Sequence, residues 1–425
     1  MTDAYRQDIQ FGNAALQARF TEHCARSASS WDGVKAWREQ GLPHFQAPLR
    51  TDDLPGIEAL AKSLCEGATD LLVFGIGGSS LGAQALGQLA GWGTPAYRAA
   101  PGSPAIHIVE NLDGPSLHGV LARLDLGRTK ILSVSKSGST SETLAQTLIA
   151  IEAMERAGLG AELKRKLAVI AEPGGNPLRK LAAEIGCPAH DHDPNLGGRY
   201  SVLSLVGLTP ASCFGLNVAA IRAGAAEVLA QLGDPEAPFA TGAALSAAAA
   251  AAGLETQVMW AYADRLERFV MWWRQLWGES VGKGGKGTTP VRALGPVDQH
   301  SQLQLYLDGP NDKLFTIVTV GGGGGPSVPA GWAERIGQPL LGGKSPAQIV
   351  NAQARATAQT LLRAGRPVRT IHVPKLDERA MGALMMHFML ETLVAARLWD
   401  VDPFDQPAVE LGKVLTRQYL AEGAP

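Results

Sequence analysis

Lys130-Ile131-Leu132-Ser133-Val134-Ser135-Lys136-Ser137-Gly138-Ser139-Thr140-Ser141-Glu142-Thr143 is the stretch on which the fold turns. Its first five residues are an apolar, β-branched run of the kind that fills a buried strand. The alanine- and leucine-rich segment after the turn predicts a helix over about 139–157. Strand, hydroxyl-rich turn and helix start, in that order, make an anion site, because the first amides of a helix lack intrahelical acceptors and the macrodipole is positive there. The dipole alone contributes only about 0.3–2 kcal/mol, so backbone and hydroxyl bonds must supply the rest. Ser139 and Glu142 also stand in the S-x-x-E spacing of a capping box. That reading leaves Lys136, Ser137, Thr140 and Thr143 unexplained.

Outward from this turn the pattern repeats. Short apolar runs at 71–74, 105–109, 131–134 and 167–170 predict strands separated by helical segments, and such alternation implies a parallel sheet covered on both faces. A second set follows an alanine-rich helix at 241–252, with strands expected at 257–262, 314–320 and 368–373. The fold class is therefore α/β, with two doubly wound domains in tandem, each a parallel sheet flanked by helices. The first spans 51–210 and the second 211–403. A helical arm over 1–50 precedes them, and residues 404–425 carry a closing helix expected from about 405 to 420. Residues 321–325 read as a flexible glycine loop.

Composition narrows the function. A chain of 425 residues suits roughly two or three domains with buried cores. With 45% hydrophobic and 18% charged residues, a net charge of -2 and a pI of about 6.5, no global field points to nucleic acid or to a membrane surface. An anionic substrate must be held by local groups. Cys24, Cys65, Cys187 and Cys213 are far apart and form no C-x-x-C, which suits reduced thiols. The polar start has no signal-peptide core, and no uninterrupted apolar stretch approaches the roughly 20 residues that span a bilayer. Cytoplasm is the expected location.

A second glycine-rich turn, Phe74-Gly75-Ile76-Gly77-Gly78-Ser79-Ser80-Leu81-Gly82, also lies between a strand and a helix. Gly75 and Gly77 match a dinucleotide fingerprint, but Ser80 stands where its third glycine belongs. Ligands of open parallel sheets sit beyond the carboxyl ends of the strands, so Gly78-Ser79 and the 135–143 turn flank one crevice able to hold one phosphate. The segment 337–345 approaches a Walker A loop, yet Gln338 occupies the first glycine position, leaving a loop that enters a helix after Pro346. His190-Asp191-His192-Asp193, ending at Pro194, reads as a solvated loop sooner than as metal ligands.

Four further groups carry chemistry. In Leu196-Gly197-Gly198-Arg199-Tyr200-Ser201 two glycines present an arginine, either to an anion or across a domain interface. Gln275 and Glu279 share a helix face at i, i+4 beside the aromatic-rich segment 269–277, which is expected to desolvate the carboxylate and raise its pKa; a structural glutamate is the alternative. His300 falls in Asp298-Gln299-His300-Ser301, a helix entry after Gly295-Pro296. Gln406, Glu410 and Lys413 lie within about 60° of one another on the closing helix, a stripe that a solvated face would also explain.

Taken in order, Gly75 to Gly82, Ser135 to Glu142, Gly197 to Ser201, Gly278 to Lys283 with Gln299-His300-Ser301, and Phe404 to Lys413 resemble the glucose-6-phosphate isomerases (phosphoglucose isomerases) over nearly the whole chain. The serine- and threonine-rich core alone resembles sugar isomerase domains in general, sugar-phosphate-sensing regulators included. The resemblance implies two sugar-isomerase-type domains, with Gly78, Ser79, Ser135, Lys136, Ser137, Gly138, Ser139, Thr140 and Thr143 around the sugar phosphate and Gln275 and Gln406 near the sugar. It implies Glu279 as the base between carbons 1 and 2, Arg199 as the cation beside the enediolate, and His300 and Lys413 as the ring-opening pair. It also implies a homodimer in which His300 comes from the neighbouring subunit, and no cofactor or metal. The chain resembles the compact bacterial form, so the arms of longer members are expected to be absent. Pro194, Gly278 and Val281 depart from the family pattern. A broader isomerase that also accepts mannose 6-phosphate, or a phosphosugar sensor without turnover, are the alternatives.

Overall fold

The computed structural model describes residues 3–95, 97–100, 102–322 and 325–423. Its strands are β1 (Arg6–Gln10), β2 (Asp70–Phe74), β3 (Ala105–Val109), β4 (Thr129–Val134), β5 (Leu167–Ala171), β6 (Ala189–Asp191), β7 (Thr256–Ala261), β8 (Thr289–Leu294), β9 (Lys313–Val320) and β10 (Val368–Val373). They form two five-stranded sheets, ordered β3-β2-β4-β5-β6 and β1-β10-β9-β7-β8. The first is parallel throughout. In the second only β1, antiparallel to β10, breaks the rule.

Both faces of each sheet are covered, as near-continuous apolar strands require. In the first, Leu72, Phe74, Ile131 and Val169 pack beneath Ile151, Met154 and Leu178. Their neighbours Leu71, Val73, Leu132 and Ile170 face Leu60, Leu64 and Val206. In the second, Trp260, Phe315 and Ile317 meet Tyr306 and Leu361. The opposite face, with Met259, Val318 and Ile371, joins a large core shared by Tyr200, Leu203, Trp273, Met385 and Phe388, which binds the two sheets into one body.

The chain runs from β2 to β3 on one side and then crosses to β4 on the other, with Phe74 paired to Ser133. A crevice therefore opens beyond the carboxyl ends of β2 and β4, where the connections diverge. The turns at 77–79 and 135–140 both lie there.

Several expectations need correction. The first fifty residues are more than a helical arm. A helix does fill Ala14–Glu39, but β1 extends the second sheet, and Tyr5, Trp31, Val34 and Phe45 are buried in the shared core. The closing helix is Glu410–Glu422, preceded by a short turn at Pro407–Val409, so Gln406 is not on it and the stripe with Glu410 and Lys413 does not form. Helix Glu378–Leu398 is, among the described residues, long and apolar enough to cross a membrane. It is instead a core helix, buried along nearly all its length and carrying His387 and Glu391 inside. The loop at 321–325 includes residues 323 and 324, which lie outside the described residues. Ser345 caps the helix Pro346–Arg363 in a full capping box with Gln348, as a loop entering that helix should.

Candidate active site

The phosphate-type turn is built by a buried strand that ends abruptly. After Val134, Ser135 still donates its amide to Ile170 O at 3.0 Å, then the chain reverses and Gly138 N bonds Ser135 O at 3.0 Å. Gly138 sits at φ +61, and a Cβ there would lie 1.9 Å from Asn176 Oδ1, so only glycine fits. The expected capping box does not form. Thr140, not Ser139, is the N-cap of the Ser141–Arg156 helix and no side chain caps it. Thr140 Oγ1 bonds Ser135 Oγ at 2.9 Å instead. Ser137 Oγ accepts from the amide of Ser139 at 3.3 Å and its hydroxyl at 3.0 Å. The first amides of the helix are thus left without a side-chain acceptor, among the exposed Ser137 and Ser139 and the half-buried Thr140. Lys136 lies 3.5 Å from Glu172. Thr143 is buried with its hydroxyl unpaired.

The neighbouring turn, Gly77–Ser79, reaches the second half of the molecule. A Cβ on Gly77 would lie 2.8 Å from Gln275 Nε2, and one on Gly78 would lie 2.2 Å from the carbonyl carbon of Gly198 and 2.6 Å from Arg199 N. Gly78→Ala must therefore push the turn away from Arg199. We expect at least a tenfold fall in kcat/KM, measured beside Gly114→Ala, where a Cβ meets nothing within 4 Å and activity should hold.

Arg199 is the hub. It sits on the helical turn Gly198–Leu203 and is only 4% exposed, so its charge needs full pairing. Nη1 donates to Glu279 Oε2 and to Gln406 Oε1, both at 2.8 Å. Nη2 donates to the carbonyls of Pro403 and Asp405, also at 2.8 Å. Its buried Nε is unpaired. Three segments distant in sequence are tied by one guanidinium, a task for a planar fork and not for an ammonium.

Glu279 lies on the helix Glu267–Val281, whose Phe269, Trp272, Trp273 and Trp277 face the core. The aromatic side chains therefore do not form the apolar wall expected around the carboxylate. Its side chain is 35% exposed, with Oε2 on Arg199 and Oε1 accepting from Gln275 Nε2 at 3.0 Å. Gln275 Oε1 is buried and unpaired. A base open to solvent on one side and fixed by two donors on the other can receive a proton from a bound molecule.

A parallel brace escaped the sequence reading. Tyr200 OH bonds Ser280 Oγ at 2.9 Å, each next in chain to a member of the ion pair, and burial pushes the Tyr200 phenol above its usual pKa. Lys283 pairs with Asp405 at 2.9 Å and steadies the segment bearing Gln406. Near the Gly77 turn, Gln84 Nε2 donates to Ser80 Oγ and to Glu110 Oε2, both at 2.6 Å. The Ser80–Gln84 spacing of one helical turn was the signal available.

Two expected members stand apart. Lys413 is exposed and paired with Glu410 at 2.7 Å. His300 does not open a helix; it ends the short turn Val297–Gln299 and is exposed, as are the apolar side chains of Val297 and Leu305 nearby in sequence. The histidines at 190 and 192 are held by burial below their usual pKa, and His192 Nδ1 lies 2.9 Å from Asp193 O. Among the described residues no three His, Cys, Asp or Glu side chains gather as a metal set.

Comparison with known proteins identifies the family. The phosphoglucose isomerase family model matches residues 61–292 and 335–424. A glucose-6-phosphate isomerase of Rubrobacter xylanophilus is 39% identical over 375 residues, 87% of this chain and 86% of that one. A crystal structure of a hypothetical protein from Thermus thermophilus has a TM-score of 0.87 at 32% identity, covering 98% of this chain and 100% of its own. A glucose-6-phosphate isomerase of Chlamydia trachomatis, 21% identical, shares the fold with a TM-score of 0.81 over 100% of this chain and 90% of its own. From the family match over most of its length and a relative this similar over nearly all of it, the chain belongs to the phosphoglucose isomerase family.

Proposed function

We propose that this chain interconverts glucose 6-phosphate and fructose 6-phosphate through ring opening and an enediolate, a step of glycolysis and gluconeogenesis in the cytoplasm. The observation that carries the reading is the Arg199–Glu279 pair, held at 2.8 Å beside the Gly78 turn. Proton transfer between adjacent carbons next to a carbonyl needs one carboxylate and one fixed cation, and the reaction is redox-neutral. The 135–140 turn with Ser79 and Thr143 holds the phosphate. Gln275 and Gln406 orient the sugar. Glu279 carries the proton between carbons 2 and 1, a contribution of about 100- to 10,000-fold. Arg199 stabilises the enediolate and, as a guanidinium, does not give up its own proton.

His300 and Lys413 serve ring opening. The exposure of His300, with Val297 and Leu305 exposed nearby in sequence, supports its delivery into the site of a second copy in a homodimer. Turnover of fructose 6-phosphate, followed by coupled oxidation of the glucose 6-phosphate formed, tests the reading. Saturable binding without turnover would replace it with a phosphosugar sensor. Mixing tests the sharing of sites. His300→Ala and Glu279→Gln chains, each inactive alone, should regain roughly a quarter of wild-type activity after unfolding and refolding together, because half the dimers are mixed and each holds one intact site. No recovery would place His300 in its own subunit's site.

A further inference from the structure

The second sheet repeats the plan of the first. Its order β8-β7-β9-β10 matches β3-β2-β4-β5, and the chain again leaves the central strand for one side and then crosses to the other. A second crevice therefore belongs beyond the carboxyl ends of β7 and β9. A cavity of about 550 Å³ lies there, within the range that small ligands occupy. Tyr262 and Val320 at the strand ends, Pro296 after β8 and Val350 on the helix Pro346–Arg363 give it apolar walls. Thr94 and Pro95 line it from the first half of the chain.

The two crevices present charge differently. In the first, the turn Gly77–Ser79 starts three residues on from the end of β2. In the second, the turn Asp264–Leu266 starts three residues on from the end of β7, so Arg265 stands where the first domain has Gly78. The helix starts differ as well. No side chain caps the helix Ser141–Arg156, whereas on the helix Pro346–Arg363 the first residue has no N–H and Gln348 N already bonds Ser345 Oγ at 3.3 Å. An anion in the second crevice must therefore be held by a side chain. Three polar groups on the wall are engaged: Asn351 Nδ2 donates to Val320 O at 3.2 Å, Thr94 Oγ1 to Gly91 O at 2.7 Å and Tyr262 OH to Thr357 Oγ1 at 2.9 Å. Asp264 and Arg265 also line the cavity and are exposed, and among the described residues neither side chain is paired with the other or with a third group. Opposite charges on adjacent residues beside an apolar wall suit a molecule with both charges at one end and an apolar group at the other.

We propose that this crevice binds a zwitterionic α-amino acid with an apolar side chain. Its carboxylate takes the forked N–H donors of Arg265, its ammonium donates to Asp264, and its side chain lies against Tyr262, Val320 and Val350. Because both halves of the chain line the cavity, the ligand touches both. Neither Asp264 nor Arg265 belongs to the Arg199–Glu279 site, so the inference does not depend on the isomerase reading.

Calorimetric titration of the full chain with L-phenylalanine, with a melting curve for each variant, tests it. One site with a Kd of about 1 mM or tighter is expected, unchanged by fructose 6-phosphate. 3-Phenylpropionate, which lacks the ammonium, and phenethylamine, which lacks the carboxylate, should each bind about tenfold more weakly or worse. Arg265→Met and Asp264→Asn, both at exposed positions, should keep the melting temperature and weaken phenylalanine by about tenfold. Val350→Trp, which fills the cavity, should abolish binding. Absence of saturable binding, wild-type affinity in either charge variant, a fragment as tight as phenylalanine, or displacement of phenylalanine by fructose 6-phosphate would each overturn the proposal.

Discussion

Glu279→Gln is expected to lower kcat by about 100- to 10,000-fold while KM and the thermal midpoint stay close to wild type. On the proposed assignment the substitution removes the proton acceptor and little else. A glutamine in the same rotamer still offers an oxygen to Arg199 Nη1, and its amide can face Gln275, whose own unpaired Oε1 becomes an acceptor once that side chain flips. The exchange is therefore close to neutral for folding, and a thousandfold loss, about 4 kcal/mol, would belong to the chemical step. Steady-state kinetics in both directions, with a melting curve, decide it. Turnover within about tenfold of wild type would remove Glu279 from the role of base.

Arg199→Lys is expected to fail in both respects at once. An ammonium keeps the charge but cannot reach Glu279, Gln406, Pro403 O and Asp405 O together, as the guanidinium does at 2.8 Å to each. If Arg199 stabilises the enediolate as proposed, its loss should cost about 100- to 1,000-fold in kcat/KM. The 403–406 segment also loses its anchor, so the melting temperature should drop, unlike that of Glu279→Gln. The contrast between the two variants is the informative result. A lysine variant as stable and as active as wild type would make Arg199 a surface ion pair in effect and overturn the site described here.

The central strands could be read because they are buried on both faces. β2 and β5 carry apolar runs from Leu71 and Leu167 on, β4, β9 and β10 apolar residues interrupted by Ser133, by Thr316 and Thr319, and by Arg369, Thr370 and His372, and each strand lies within a residue or two of where its apolar residues put it. The strands that went unread are edges. β1 (Arg6–Gln10) and β8, with Pro290 and Arg292, alternate partly exposed polar residues, and β6 is three residues long; edge strands are short and polar because one side meets water. At the site, Gly78, Arg199, Gln275 and Glu279 announced themselves by local spacing, and the fold brings them together. Gln406 joins them for a different reason from the one its spacing suggested. It reaches Arg199 from an irregular segment before the last helix, a position no periodicity records. Local pattern is equally silent on Tyr200–Ser280, which exists only through tertiary contact.

β1 pairs Arg6 with His372 and Gln10 with Val368, so its partner strand is made only after most of the chain has left the ribosome. Throughout synthesis this segment waits, and so does Tyr5, whose hydroxyl later bonds His387 Nδ1 at 2.8 Å deep in the last-made core helix. A waiting strand rich in valine or isoleucine would recruit other nascent chains; Arg-Gln-Asp-Ile-Gln does not. The polar sequence that hid β1 from prediction thus offers little for a neighbouring nascent chain to pair with while β10 is still unmade.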